Sequence, residues 1–187
     1  MKIGVYGSAA GEIQDTVKAN ARAIGRRIAE LGHTLITGGC PGLPYEAVLG
    51  AYDIKGKCIG FSPAVDMGEH YERYHFPITG FAELVYVPRN YPHAGNDHTD
   101  NDQMCKKYRN IESVGAVQAA IIISGRMGTM DEFILAYEFG KNIGILEGSG
   151  GTNELIPELV LKAAKASKSK IIREANPVLL VDRLVKL

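Results

Sequence analysis

The stretch from Ala119 to Phe139, AAIIISGRMGTMDEFILAYEF, narrows the choice of fold more than any other part of the chain. An apolar run of strand length, Ala119 to Ile123, stops at a glycine-containing turn, Ser124 to Gly128. Apolar residues then recur at helical spacing through Phe133, Ile134 and Tyr137. This is a buried strand feeding a helix through a glycine loop. Such a loop exposes backbone N–H groups beside the positive end of a helix dipole, a setting suited to a phosphate or another anion. Thr129 and Glu132 also stand at the spacing of a capping box, which would account for Glu132 with no ligand at all. Both readings are open at this point.

The same unit occurs twice earlier. Residues 2 to 6 read as a strand, Gly7-Ser8-Ala9-Ala10-Gly11 as its turn, and Ile13, Val17, Ala21, Ile24, Ile28 and Leu31 as the buried face of a helix that Gly32 ends. His33 to Thr37 is a second strand, Gly38-Gly39-Cys40-Pro41-Gly42-Leu43 a second glycine loop, and a helix follows to about Ile54. Further strands are predicted at Lys57 to Ser62, Glu83 to Val87, Asn142 to Leu146 and 170 to 174. Helices are predicted at Gln103 to about Val117 and Asn153 to Ala166, with a last one capped by Asn176-Pro177. Strand and helix alternate, so each crossover returns the chain to the same sheet end and the strands run parallel. The fold class is α/β: one Rossmann-like, doubly wound sheet over residues 1–187, mostly or wholly parallel, of about seven strands with helices on both faces. The turns at Gly7, Gly38 and Gly125 then meet at the C-terminal strand edge, where doubly wound folds bind ligands.

Lysine plus arginine and aspartate plus glutamate both number 21, so no net charge attracts nucleic acid or an anionic membrane, and neither is expected as a partner. No apolar run approaches the roughly 18 to 20 residues that span a bilayer, and the first residues read as a strand rather than a signal, so the expected location is the cytoplasm. Cys40, Cys58 and Cys105 are odd in number and widely spaced, which argues against a disulfide framework and a zinc site. Cys58 reads as core, and Cys40 and Cys105 lie near the expected site without an obvious activating base.

Periodicity breaks over 64–102, apart from the strand at Glu83, and the segment reads as an irregular insertion or lid. His93, Asp97, His98, Asp100 and Asp102 cluster in its second half at spacings that match no metal motif, so neither a metal nor a resident cofactor is expected. Arg109, in the next predicted helix, stands three residues before Glu112, a spacing that suits a surface pair worth a few tenths of a kcal/mol.

Together, Tyr6-Gly7-Ser8, Thr37-Gly38-Gly39-x-x-Gly42-Leu43, Arg109 and Ser124-Gly125-Arg126-Met127-Gly128-Thr129-x-x-Glu132 resemble the LOG family, within a group that includes molybdenum-cofactor carrier proteins. The resemblance spans most of residues 1–147. In LOG enzymes the last motif reads PGGxGTxxE, and an arginine and the closing glutamate serve in cleavage of nucleoside 5′-monophosphates to free base and ribose 5-phosphate. By motif position these are Arg109 and Glu132. The resemblance implies a phosphate held by Gly125, Arg126, Met127, Gly128 and Thr129, a crevice completed by Gly7, Ser8, Gly38, Gly39 and Gly42, and a homodimer or larger homo-oligomer.

Ser124 replaces the motif's proline and Arg126 its second glycine, which removes a position tolerant of positive φ and adds a guanidinium able to grip phosphate bidentately. Arg109-Asn110, in place of Arg-Lys, and the Gly148 to Gly151 turn look more like the carrier branch. Three functions therefore stand side by side: a phosphoribohydrolase, a carrier or sensor of a nucleotide-like or molybdopterin-type phosphate ligand, and a chain that has lost its site.

Overall fold

The computed structural model describes residues 1–94, 99–163 and 165–187. One sheet is built from β1 Lys2–Gly7, β2 Thr34–Thr37, β3 Cys58–Phe61, β4 Glu83–Val85, β5 Ala119–Ile123, β6 Asn142–Leu146 and β7 Ile171–Glu174. The strand order is β4-β3-β2-β1-β5-β6-β7, and every neighbouring pair is parallel. The connecting helices are α1 Asp15–Glu30, α2 Leu43–Tyr52, α3 Thr99–Gly115, α4 Met127–Glu138, α5 Ile156–Ala163 and α6 Pro177–Leu184.

Strand side chains alternate between two apolar layers, as the two-residue repeat of a strand requires. Ile3 and Val5 of β1 and Ile121 and Ile123 of β5 pack with Val17, Ala21 and Ile24 of α1, Leu43 and Ala47 of α2, and Leu180 and Leu184 of α6. Tyr6 and Ile122 turn the other way, toward Val114 of α3, Phe133 of α4 and Ile156 of α5. Burying each large side chain contributes roughly 1.5–3 kcal/mol, so the two central strands are the best anchored part of the molecule.

Winding runs outward from β1 through β2 and β3 on one side and from β5 through β6 on the other. The switch point is therefore the seam where Gly7 stands beside Ile123. The chain leaves both strands at the same edge there.

Several boundaries differ from the sequence reading. Residues 8–14 form a loop, because α1 starts only at Asp15, and α3 begins at Thr99. A 3₁₀ turn, Gly151–Glu154, precedes α5, since Gly150 and Gly151 both have positive φ and delay the helix. α6 starts as expected, with Asn176 Oδ1 accepting from the Val178 and Leu179 amides at 3.0 and 3.1 Å. The irregular segment after β3 folds back on itself and onto the end of that strand: Val87 N–H donates to Ala64 O at 2.9 Å, and His70, in a π-helical turn, is fully buried with Nδ1 2.8 Å from Ser62 Oγ. Asp97 and His98 of the His/Asp cluster lie outside the described residues. Asp102 accepts from Arg73 and the Tyr74 hydroxyl at 2.8 and 2.9 Å. Among the described residues no three His, Cys, Asp or Glu side chains form a metal-sized group.

Candidate functional site

The first two glycine turns are stitched together. Leu43 N–H donates to Ser8 O at 2.9 Å, and Gly42 holds φ at 79°, where a β-carbon would lie 2.3 Å from the same oxygen. Gly38 serves a different purpose. A β-carbon there would stand 1.5 Å from Arg109 Nη1, so the bare backbone at the end of β2 is what lets the guanidinium of α3 enter.

Arg109 does not pair with Glu112. Its Nη1 lies 3.6 Å from Glu132 Oε1, and the two side chains are only 10% and 8% exposed. Desolvation pushes the Glu132 carboxyl up to about 7, against the opposing pull of Arg109 and Lys107, with Asp131 adding to the rise. Arg109 Nε is buried with no hydrogen-bond partner among the described residues. Beside the pair, Asn110 Nδ2 and Lys107 Nζ converge on Asp131 Oδ2 at 2.6 and 3.1 Å.

The turn after β5 departs from the capping-box reading. Ser124 and Gly125 both have positive φ, 54° and 103°, and reverse the chain so sharply that α4 begins at Met127. Thr129 is then the third helical residue rather than the cap, no side chain caps the helix, and Glu132 is free to face Arg109. The loss of the motif's second glycine has no conformational consequence, since Arg126 sits at an extended φ of −129°. Proline, whose ring fixes φ near −65°, does not fit the backbone that Ser124 adopts. The amides of Met127, Gly128 and Thr129 open α4 and donate to no protein acceptor among the described residues. Exposed Arg126 stands next to them without an ion pair among those residues.

These groups share one crevice of about 370 Å³ at the β1/β5 seam, lined by Gly7, Ser8, Arg109, Arg126, Met127, Gly128, Thr129 and Glu132. Gly38, Gly39, Gly42 and Gly125 shape the walls without lining the crevice. Gly39, at φ 64°, donates to Thr37 Oγ1 at 3.2 Å. Cys40, Lys106, Lys107 and Asn110 also line it; burial pushes the Cys40 thiol up, so it is a poor nucleophile.

Sequence reasoning missed the role of the turn after β6, which props the loop. Ser124 N–H donates to Ser149 Oγ at 2.8 Å, and Thr152 N–H to Gly125 O at 3.0 Å. Buried Asn153 binds Ile122 O, Leu146 O and Ser149 Oγ. The readable signal was a fourth glycine turn at the same sheet edge.

A family model described as the SLOG cluster4 family matches residues 1–91 and 98–181. An uncharacterised protein of Archaeoglobus fulgidus is 29% identical over 147 residues, 79% of this chain and 80% of that one. Among solved structures, the structural-genomics target TM1055 superposes with a TM-score of 0.78 at 18% identity, covering 100% of this chain and 99% of its own. The molybdenum cofactor binding protein of Rippkaea orientalis gives 0.71 at 22% identity over 99% and 94%. DNA processing protein A of Helicobacter pylori, described as binding single-stranded DNA, gives 0.66 at 19% identity over 100% and 80%. Likeness at these identities is a likeness of fold. No helix among the described residues is long and apolar enough to cross a membrane.

Proposed function

This chain belongs to the SLOG cluster4 family, and on that premise we propose that its β1/β5 crevice binds a nucleoside 5′-monophosphate and hydrolyses the N-glycosidic bond. The observation that carries the reading is the buried Arg109–Glu132 pair, 3.6 Å apart, in the same crevice as the unpartnered amides of α4. Those amides and Arg126 hold the 5′-phosphate. The sugar then lies against Glu132. As the bond from C1′ to the base nitrogen breaks, positive charge grows on the ring, and an ionised carboxylate stabilises it. Water adds to C1′, its proton passes to the departing base, and Arg109 donates a hydrogen bond toward that base. The products are free base and ribose 5-phosphate.

A carrier that binds a nucleotide-like or molybdopterin-type phosphate without chemistry uses the same crevice. The upward push on Glu132 favours it, since a neutral carboxyl accommodates a nearby phosphate better than a charged one. Chromatography of incubations with AMP, GMP, CMP and UMP, and with their nucleosides, separates the readings. The hydrolase releases base from at least one monophosphate and from no nucleoside, and Arg126→Ala lowers affinity for that monophosphate about tenfold or more. Binding without release from any monophosphate supports the carrier. Equal affinity for monophosphate and nucleoside contradicts both.

A further inference from the structure

A second recess opens on the far side of Arg109. It encloses about 160 Å³ and is walled by Phe61, Tyr86 and Tyr108, with Arg109 and Glu112 on its polar side. Ligand pockets run from about 300 Å³ upward, so this space suits one ring system rather than a whole ligand. Arg109 also lines the phosphate crevice, which makes the two spaces neighbours across one guanidinium.

The rings are positioned in advance. Tyr108 leans on Tyr91, centroid to centroid 4.7 Å. Tyr86 meets His70 edge-on at 6.4 Å, and His70 is itself tied to Ser62 Oγ and Pro77 O at 2.8 and 3.1 Å. Aromatic walls held this way stack a planar heterocycle with little ordering cost.

The polar side has a pattern. Because Arg109 reaches across to Glu132, Glu112 is left one helical turn away, its carboxylate in no hydrogen bond or ion pair among the described residues. Arg109 Nε is likewise unpartnered, in a side chain nine-tenths buried. Arg109, a donor-only side chain whose Nε itself is closed off from solvent, and Glu112, an acceptor-only carboxylate, thus line the same recess.

Building on the phosphate-binding reading above, we infer that this recess takes the ring of the ligand, and that the ring carries a carbonyl, a ring N–H and an amino group in succession. That edge is the 2-amino-4-oxopyrimidine face shared by guanine and pterins. Glu112 accepts from the N–H and the amino group, and Arg109 donates to the carbonyl side. Adenine fails the same test, because its ring nitrogen turns a lone pair toward the carboxylate and its amino group faces the guanidinium.

The test is a set of affinities, by calorimetry, for GMP, IMP, AMP and ribose 5-phosphate. GMP binds about tenfold or more tightly than IMP, which lacks the amino group, and than AMP. Glu112→Gln, at an exposed position, weakens GMP and removes the charge that opposes the adenine lone pair, so that GMP and AMP bind within about twofold of each other. Tyr108→Leu weakens GMP and AMP alike, and Tyr108→Phe restores both. Competition with 6-hydroxymethylpterin distinguishes the source of the edge: displacement of GMP at lower concentration marks a pterin ligand, and weaker displacement marks guanine. Equal GMP and AMP affinities, with ribose 5-phosphate still bound, overturn the recess assignment and leave the phosphate crevice standing. Absence of binding by every phosphorylated probe overturns the crevice reading and this inference with it.

Discussion

Glu132, on α4, is a buried carboxylate in the wall of the crevice, with Arg109 opposite it and the charges of Asp131 and Lys107 close by. Its carboxyl moves from 4.5 up to about 7, so between those values the folded chain binds more protons than the unfolded one. Stability attributable to this group is therefore greatest below about pH 4.5, falls as pH rises through the window, and levels above about 7. At about 1.4 kcal/mol per factor of ten, the loss is roughly 3 kcal/mol. Denaturant unfolding of wild type and Glu132→Gln from pH 4.5 to 8 should show wild type losing about that much relative to the variant. Parallel curves would contradict the burial argument. The sequence placed Glu132 at the site through motif spacing, but equally offered a capping box. What could not be read was that α4 starts two residues before Thr129, which frees the carboxylate for Arg109.

The turn between β5 and α4 is an element that holds strain. A non-glycine residue at φ 54° costs on the order of 1–3 kcal/mol and persists only where neighbours enforce it. Here Ser149 and Thr152 of the turn after β6 do so, through bonds to Ser124 and Gly125. Ser124→Pro, which restores the motif's residue, removes the amide that binds Ser149 Oγ and demands a φ of the wrong sign. We expect it to destabilise by about 3 kcal/mol or more and to lower the melting temperature by several degrees, with weaker binding of monophosphates and little change for nucleosides. Ser124→Gly keeps the amide and eases φ, a gain partly offset by the freedom glycine adds to the unfolded chain, and should melt no lower than wild type. A proline variant that melts and binds like wild type would show the turn to be unconstrained. All seven strands were legible along the chain because each centres on apolar residues bounded by turn signals. The Ser149 and Asn153 props were not, since they depend on side chains brought together from different strand ends.

At the scale of the whole molecule, parallel winding gathers every strand-to-helix turn at one sheet edge, and the switch between β1 and β5 opens a crevice there. That much follows from the alternation of strands, glycines and helices. On the proposed hydrolase reading, cleavage in this crevice depends on the charge of Glu132. The deciding measurement is release of free base from AMP and GMP at pH 8, where Glu132 is ionised, by wild type and Glu132→Gln, with ligand affinity determined alongside. Wild type is expected to release base and the variant to do so at least about 100-fold more slowly, the scale of removing one well-placed electrostatic group, while affinity changes less than about threefold. Equal rates in the two proteins, or a wild type that binds both nucleotides and releases neither base, would contradict that expectation.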